Sequence, residues 1–251
     1  MRIVACVKRV PVTETQPKIA VDGKLVDPGG VEFMMSFYDE LAVEEAIRLK
    51  EKLGGAPETI ALSLGPPEVQ KELRECLAKG VDRAVILSDK DWGARDARAT
   101  AVALASKIRE LGAELALFGR VATDRDNAAV GPMVATLLGW ACVTDVVELA
   151  LDGQRGSAKR ESEAGIESYS FQLPAVITCQ KGLNEPRYAG LKGIMAAKKK
   201  PLEEAPAEVV ANQVETLALA LPPGRKEGRI LGEGPGVVPA LLESLRRDGV
   251  L

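Results

Sequence analysis

ELALFGRVATDRDNAAVGPMVATLL, residues Glu114–Leu138, carries a strand, a loop and a helix in one run. Glu114–Phe118 is a short apolar segment of the length expected for a strand covered on both faces. Gly119–Pro132, GRVATDRDNAAVGP, follows it as a connecting loop and leads into a helix. The helical pattern spans Asp126–Leu138 and stops at Gly139, a residue suited to a helix end.

The same unit recurs upstream. Apolar runs at Ile3–Val7, Thr59–Leu64 and Ala84–Leu87 alternate with helical patterns at Asp39–Leu53, Pro67–Lys79 and Ala94–Leu111. In Asp39–Leu53 the residues Ala42, Ala46, Leu49 and Leu53 form one stripe, which Val43 and Ile47 widen. Pro67 opens the next helix and Gly80 closes it. Alternating buried strands and helices predict an α/β fold with a doubly wound, mostly parallel sheet. Two segments break the rhythm. Lys18–Val26, KIAVDGKLV, reads as a hairpin about Asp22–Gly23. Val146–Leu173 alternates in the manner of strands, with turns at Asp152–Gly153 and Ala164–Gly165, and predicts antiparallel additions. Residues 1–201 make the α/β domain. Residues 202–251, rich in Pro, Glu and Ala, read as a C-terminal arm with one short helix in Pro239–Asp248.

Composition narrows the function. A net charge of −3 provides no overall field for nucleic acid or an anionic membrane. No apolar run approaches the ~20 residues that cross a bilayer. The N-terminal run Ile3–Val7 is shorter than the core of a signal peptide, so a cytoplasmic or equivalent reducing location is expected. Cys6, Cys76, Cys142 and Cys179 are far apart with no CxxC pattern, which argues against a metal site or a disulfide framework. The chain has no histidine, which removes His-based triads and proton shuttles.

The Gly119–Pro132 loop sits where doubly wound sheets bind ligands, outside the carboxyl end of a strand. A helix N-terminus there offers free N–H groups to a phosphate. Gly119 permits close backbone approach, and Asp124 or Asp126 could accept from a ribose or cap the helix. The spacing matches neither G-x-G-x-x-G nor a Walker A loop. A nucleotide site and an ordinary capped loop both fit. Ser36 with Asp39 reads as a capping box, which is compatible with ligand contact. Glu44–Glu45 reads as a solvated helix face, Lys8–Arg9 as a salt-bridging pair or an anion contact, and Trp92 and Trp140 as packing.

Ala175–Thr178 predicts another buried strand. The segment after it, KGLNEPRYAGLKGIMAAKKKP over Lys181–Pro201, has no clear helix or strand period. It places Leu183, Tyr188, Leu191, Ile194 and Met195 on a loop that ends in Lys198–Lys200. Apolar side chains on a long loop suggest a docking surface with a basic rim.

VACVKRVP, FYDELAVEEAIRLKEK, GRVATDRDNAAVGP and above all LNEPRYAGLKGIMAAKKKP resemble the β subunit of electron transfer flavoproteins, over roughly residues 1–201. The resemblance implies a Rossmann-like fold of the adenine nucleotide alpha hydrolase-like kind. It implies a heterodimer in which the α subunit holds most of an FAD and this subunit holds AMP, or a second FAD in bifurcating members. It further implies an electron carrier without covalent catalysis of its own. Electrons would come from acyl-CoA or related dehydrogenases and pass to a membrane quinone oxidoreductase. The nucleotide would touch Cys6, then Ser36, Phe37, Tyr38 and Asp39, then Leu64. It would also touch the loop made of Gly119, Arg120, Val121, Ala122, Thr123, Asp124, Arg125, Asp126, Asn127, Ala128, Ala129 and Val130. Leu191 would anchor the dehydrogenase beside Leu183, Tyr188, Ile194 and Met195, with Lys198 and Lys199 as a basic edge. The C-terminal arm would pack on the α subunit.

Some positions depart from the family pattern. Ser36–Phe37 stands where Asn-Pro is usual, and Arg125 replaces the middle acid of a D-D-D run. Ala128, Ala129 and Val130 stand where polar side chains are common, which leaves a phosphate to the backbone. The Val130–Gly131–Pro132 ending is similar to bifurcating relatives. AMP is the expected ligand, with a second FAD or an empty site as alternatives. A stand-alone adenine-nucleotide-binding protein or hydrolase would need catalytic or metal-binding side chains that Gly119–Pro132 does not offer.

Overall fold

Strands form where apolar side chains are buried on both faces, and helices cover those faces. The computed structural model describes residues 1–224 and 228–251. In chain order its elements are β1 (Arg2–Cys6), β2 (Arg9–Pro11), β3 (Phe33–Met35), α1 (Phe37–Lys52), β4 (Glu58–Gly65), α2 (Gln70–Lys79), β5 (Arg83–Ser88), α3 (Ala97–Glu110) and β6 (Leu115–Gly119). They continue with α4 (Val130–Leu138), β7 (Ala141–Asp152), β8 (Arg155–Ser162), β9 (Gly165–Gln172), β10 (Ala175–Cys179), α5 (Leu191–Ala197), β11 (Leu202–Pro206) and α6 (Val238–Arg247). The main sheet has the order β11-β5-β4-β1-β6-β10-β7-β8-β9. From β11 to β7 every pairing is parallel, and β7-β8-β9 is an antiparallel meander. The predicted doubly wound sheet and its antiparallel addition are both present.

β1 shows why the runs are continuously apolar. Ile3, Ala5 and Val7 join a core with α1 and α2 on one face, while Val4 and Cys6 join α3 and α4 on the other. Each large side chain buried this way contributes about 1.5–3 kcal/mol.

Four expectations change. α4 starts at Val130, not Asp126, because Asp126 and Ala128 have φ of 50° and 51°, a left-handed backbone that no α-helix continues through. The Lys18–Val26 hairpin reduces to one bridge, Ile19 with Val26, about a turn at Gly23. The Lys181–Pro201 segment contains a helix, α5. The arm read from residue 202 begins in the sheet, since β11 pairs along β5. Lys200 steers the chain into that edge by donating from Nζ to the carbonyls of Leu77 (3.0 Å) and Val81 (2.6 Å). One compact unit accordingly runs over Met1–Leu219, and a second, Ala220–Leu251, holds α6.

Candidate functional site

The chain leaves β1 outward to β4 and β5, then returns to β6 on the other side of β1. This reversal is the position at which doubly wound sheets open a crevice beyond their carboxyl ends. A pocket with a cavity volume of about 130 Å³ lies there. Its floor is Cys6, Val7, Leu64 and Phe118. One wall is Trp92, Arg95, Asp96, Ala97, Thr100 and Leu104, from the loop after β5 and the start of α3. The other is Gly119–Ala122, Arg125 and Asn127–Gly131, from the loop after β6.

Asp39, in the first turn of α1, ties the crevice together. Its Oδ2 accepts the Lys8 N–H at 2.8 Å and its Oδ1 the Gly119 N–H at 3.0 Å. The ends of β1 and β6 are thereby held to one carboxyl. Gly119 is required: a Cβ there would lie 2.5 Å from Asp39 Oδ1 and 2.7 Å from Tyr38 Cβ. The capping box is not formed, because Asp39 is committed to the strands. Ser36 occupies the N-cap position, but its buried Oγ has no partner.

Burial pushes the Asp39 carboxyl up to about 7, against the opposing pull of the Lys8 and Gly119 amides and the Lys8 charge. An unfolded Asp titrates near 4. Between those values the folded chain keeps a proton that the unfolded chain has lost, so this group's contribution falls as pH rises and levels off above about 7. The whole interval is worth about 4 kcal/mol. We expect Asp39→Asn to flatten that part of the profile, so that urea unfolding from about pH 4.5 to 7.5 shows a smaller decline than in the parent. Parallel profiles for the two proteins would exclude Asp39 as the titrating group. The same burial holds the Cys6 thiol well above its ordinary value, so it lines the pocket as a neutral group.

The pocket gathers Cys6, Asp39, Leu64, Gly119, Arg120, Val121, Ala122, Arg125, Asn127, Ala128, Ala129 and Val130 from the predicted nucleotide residues. Ser36, Phe37, Tyr38, Thr123, Asp124 and Asp126 lie outside its lining. Asp124 is engaged by Lys8 Nζ at 2.6 Å, so the Lys8 charge is spent on an ion pair. Arg9 likewise pairs with Glu72 at 2.6 Å. Arg120 pairs with Asp145 at 3.1 Å and lies over the Tyr38 ring at 5.7 Å. The wall from Trp92 to Leu104 was not expected from the sequence. Its signal was an Asp ahead of an Ala-rich helix after a buried strand: Asp96 caps α3 by accepting the Ala99 N–H at 2.6 Å.

The second feature is the segment after β10. Asn184 Nδ2 donates to the Leu41 carbonyl at 3.0 Å and to Glu45 at 2.9 Å. Arg187 donates to Glu44 through its backbone N–H (3.1 Å), Nε (2.9 Å) and Nη2 (2.9 Å), and to Glu51 through Nη1 at 2.6 Å. Glu44 and Glu45 are therefore not a solvated face: they are 4% and 2% exposed and anchor this segment. Leu183 is corrected too, since at 9% exposure it belongs to the core. Beyond the anchor, Tyr188 is 98% and Leu191 77% exposed, with Ile194 and Met195 on the same short helix and exposed, and Lys198 and Lys199 exposed after it. Gly193 lets α5 lie against α2, where a Cβ would meet the Ala78 carbonyl oxygen at 2.2 Å.

Among the described residues no helix is long and apolar enough to cross a membrane. A sequence model of the Electron transfer flavoprotein domain matches residues 25–210. The electron transfer flavoprotein subunit beta of Bacillus subtilis (strain 168) is 37% identical over 243 residues, covering 94% of each chain. The mitochondrial subunit beta of Oryza sativa subsp. japonica is 35% identical over 255 residues, covering 98% of this chain and 99% of its own. Subunit CarD of the caffeyl-CoA reductase–Etf complex of Acetobacterium woodii is 37% identical over 203 residues, covering 80% of this chain and 77% of its own. On that extent of shared sequence, the chain belongs to the electron transfer flavoprotein family as a beta subunit.

Proposed function

We propose that this chain holds AMP in its switch-point pocket and docks acyl-CoA or related dehydrogenases through Tyr188–Lys199. Its alpha-subunit partner holds most of an FAD, and the electrons pass on to a membrane quinone oxidoreductase. As a beta subunit it is part of an electron carrier rather than a catalyst. The observation that carries the AMP reading is the open end of α4. Its N-cap is Ala129, whose methyl group cannot accept from the first-turn amides, and Ala129, Val130 and Gly131 line the pocket. An uncapped helix start suits a phosphate. Leu64, Leu104 and Val121 suit the apolar faces of an adenine.

In this reading the FAD supplies the redox chemistry when bound, and AMP supplies none. Asp39 and Gly119 hold the strand ends at a fixed separation. Glu44, Glu45 and Glu51 hold the docking segment against α1. The C-terminal arm, shortened by β11 to the residues beyond it, packs on the alpha subunit. Its helix leaves Val238, Leu241 and Leu242 exposed. The four free cysteines suit the cytoplasm or an equivalent reducing compartment.

A second reading, FAD in place of AMP, is favoured by Val130–Gly131–Pro132. Denaturing the heterodimer and weighing the released nucleotides separates the two. One FAD and one AMP per complex is the expected result. Two FAD would replace the first reading with the second, and FAD alone would remove both.

A further inference from the structure

Arg125 stands where the family pattern has an acid, and it makes contacts an acid cannot make. Its Nη1 donates to the Arg95 carbonyl at 2.9 Å, and its Nη2 donates to the Gly93 carbonyl. Arg125 belongs to the loop after β6, whereas Gly93 and Arg95 belong to the loop after β5. In the sheet, β4 and β1 lie between those two strands. The strands are therefore three spacings apart, roughly 14 Å. The loop after β6 reaches back over this gap, and Arg125 lines the same pocket as Cys6 and Leu64.

Both ends of the span are fixed. Arg95 is buried, paired with Asp89, and donates from Nη1 to the Ala99 carbonyl at 3.2 Å. On the other side, the Asp126 N–H closes a turn on the Ala122 carbonyl at 2.9 Å, and Lys8 holds Asp124. A guanidinium carries five N–H donors in a rigid fork, so two can go to carbonyls on a separate loop at once. A carboxylate only accepts and can make neither contact, and a lysine ammonium lacks the planar fork that fixes both donors in place.

We propose that Arg125 is a strap that encloses a nucleoside monophosphate in this pocket and sets how long it stays. The strap joins the two walls above the floor, so exchange of a ligand beneath it requires both hydrogen bonds to open. The inference rests on the AMP reading above, and it adds a residue that controls residence time.

The test uses the complete heterodimer loaded with radiolabelled AMP and chased with excess unlabelled AMP. Arg125→Ala should lose label at least tenfold faster than the parent, with Arg125→Lys between the two. Equal loss from the parent and Arg125→Ala overturns the strap and leaves the AMP reading standing. Faster loss that comes with a matching fall in the unfolding midpoint of the nucleotide-free variant also overturns it, since the effect then belongs to folding. A parent complex that neither contains AMP nor takes up the label overturns the AMP reading, and the strap with it.

Discussion

Gly119→Ala should empty the pocket of its proposed nucleotide and lower the unfolding temperature by about 10 °C. The added methyl would sit 2.5 Å from Asp39 Oδ1, 2.7 Å from Tyr38 Cβ and 2.8 Å from the Tyr38 carbonyl carbon. None of these is the free end of a flexible side chain. The Asp39 carboxyl is held by two amides, and Tyr38 belongs to the first turn of α1. The end of β6 and the start of α1 must therefore separate. Overpacking of this kind costs about 1–3 kcal/mol. Losing a buried hydrogen bond to the carboxyl adds about 1–3 kcal/mol. At about 2–4 °C per kcal/mol for a unit of this size, the sum corresponds to the stated shift. Gly139→Ala is the control. Gly139 has φ of 69° but nothing within 4 Å of an added Cβ, so only the left-handed backbone is penalised, by about 1 kcal/mol. Thermal unfolding and nucleotide content, measured together, decide the matter. A Gly119→Ala protein that melts like Gly139→Ala and keeps its nucleotide would refute the account of the crevice.

Leu191→Ala should slow reduction of the complex by the dehydrogenase proposed to dock there by about ten- to a hundredfold, a loss of roughly 1.4–2.8 kcal/mol in the range of interface anchors. Leu191 is 77% exposed, so truncation removes almost no packing, and stability should stay within about 0.5 kcal/mol of the parent. What makes an exposed leucine a credible anchor is the support beneath it. Arg187 is locked to Glu44 and Glu51 four residues or fewer before α5, and Gly193 seats that helix on the Ala78 carbonyl. Leu183→Ala offers the contrast. That side chain is in the core, so its truncation should cost about 2–5 kcal/mol of stability. Rapid-mixing measurement of flavin reduction reads the first effect and urea unfolding the second. An unchanged rate in Leu191→Ala would remove it from the docking surface.

The sheet was legible because its signal is local. Ile3–Val7 and Ala175–Ile177 are apolar at every position, as suits a strand buried on both faces, and helical stripes alternate with them. The meander from Val146 to Leu173 was equally legible from alternation and turn residues. The start of α4 was not. Ala128 gives no local sign of a left-handed backbone, and it and Asp126 follow Asp124 and Arg125, which are tied to Lys8 and to the Arg95 carbonyl. The Trp92–Leu104 wall is hidden for a related reason: its one local signal is the Asp96 cap, and it becomes a wall because β5 lies on the same side of β1 as β4.

The charged residues show where reading along the chain stops. Glu44 and Glu45 look like solvent-facing acids, and their neighbours in sequence say nothing else. Their partners, Arg187 and Asn184, lie 143 and 139 residues away. Asp39 and Gly119, 80 residues apart, share one hydrogen bond that sets the geometry of the crevice. Periodicity and turn residues were enough to determine a doubly wound sheet, and the resemblance of four segments was enough for the family. The burial of each charge, the rotation of the loops and the closure of the pocket were decided by tertiary structure. Desolvating a carboxylate is tolerable only when a specific donor arrives to meet it, and only the folded chain brings that donor.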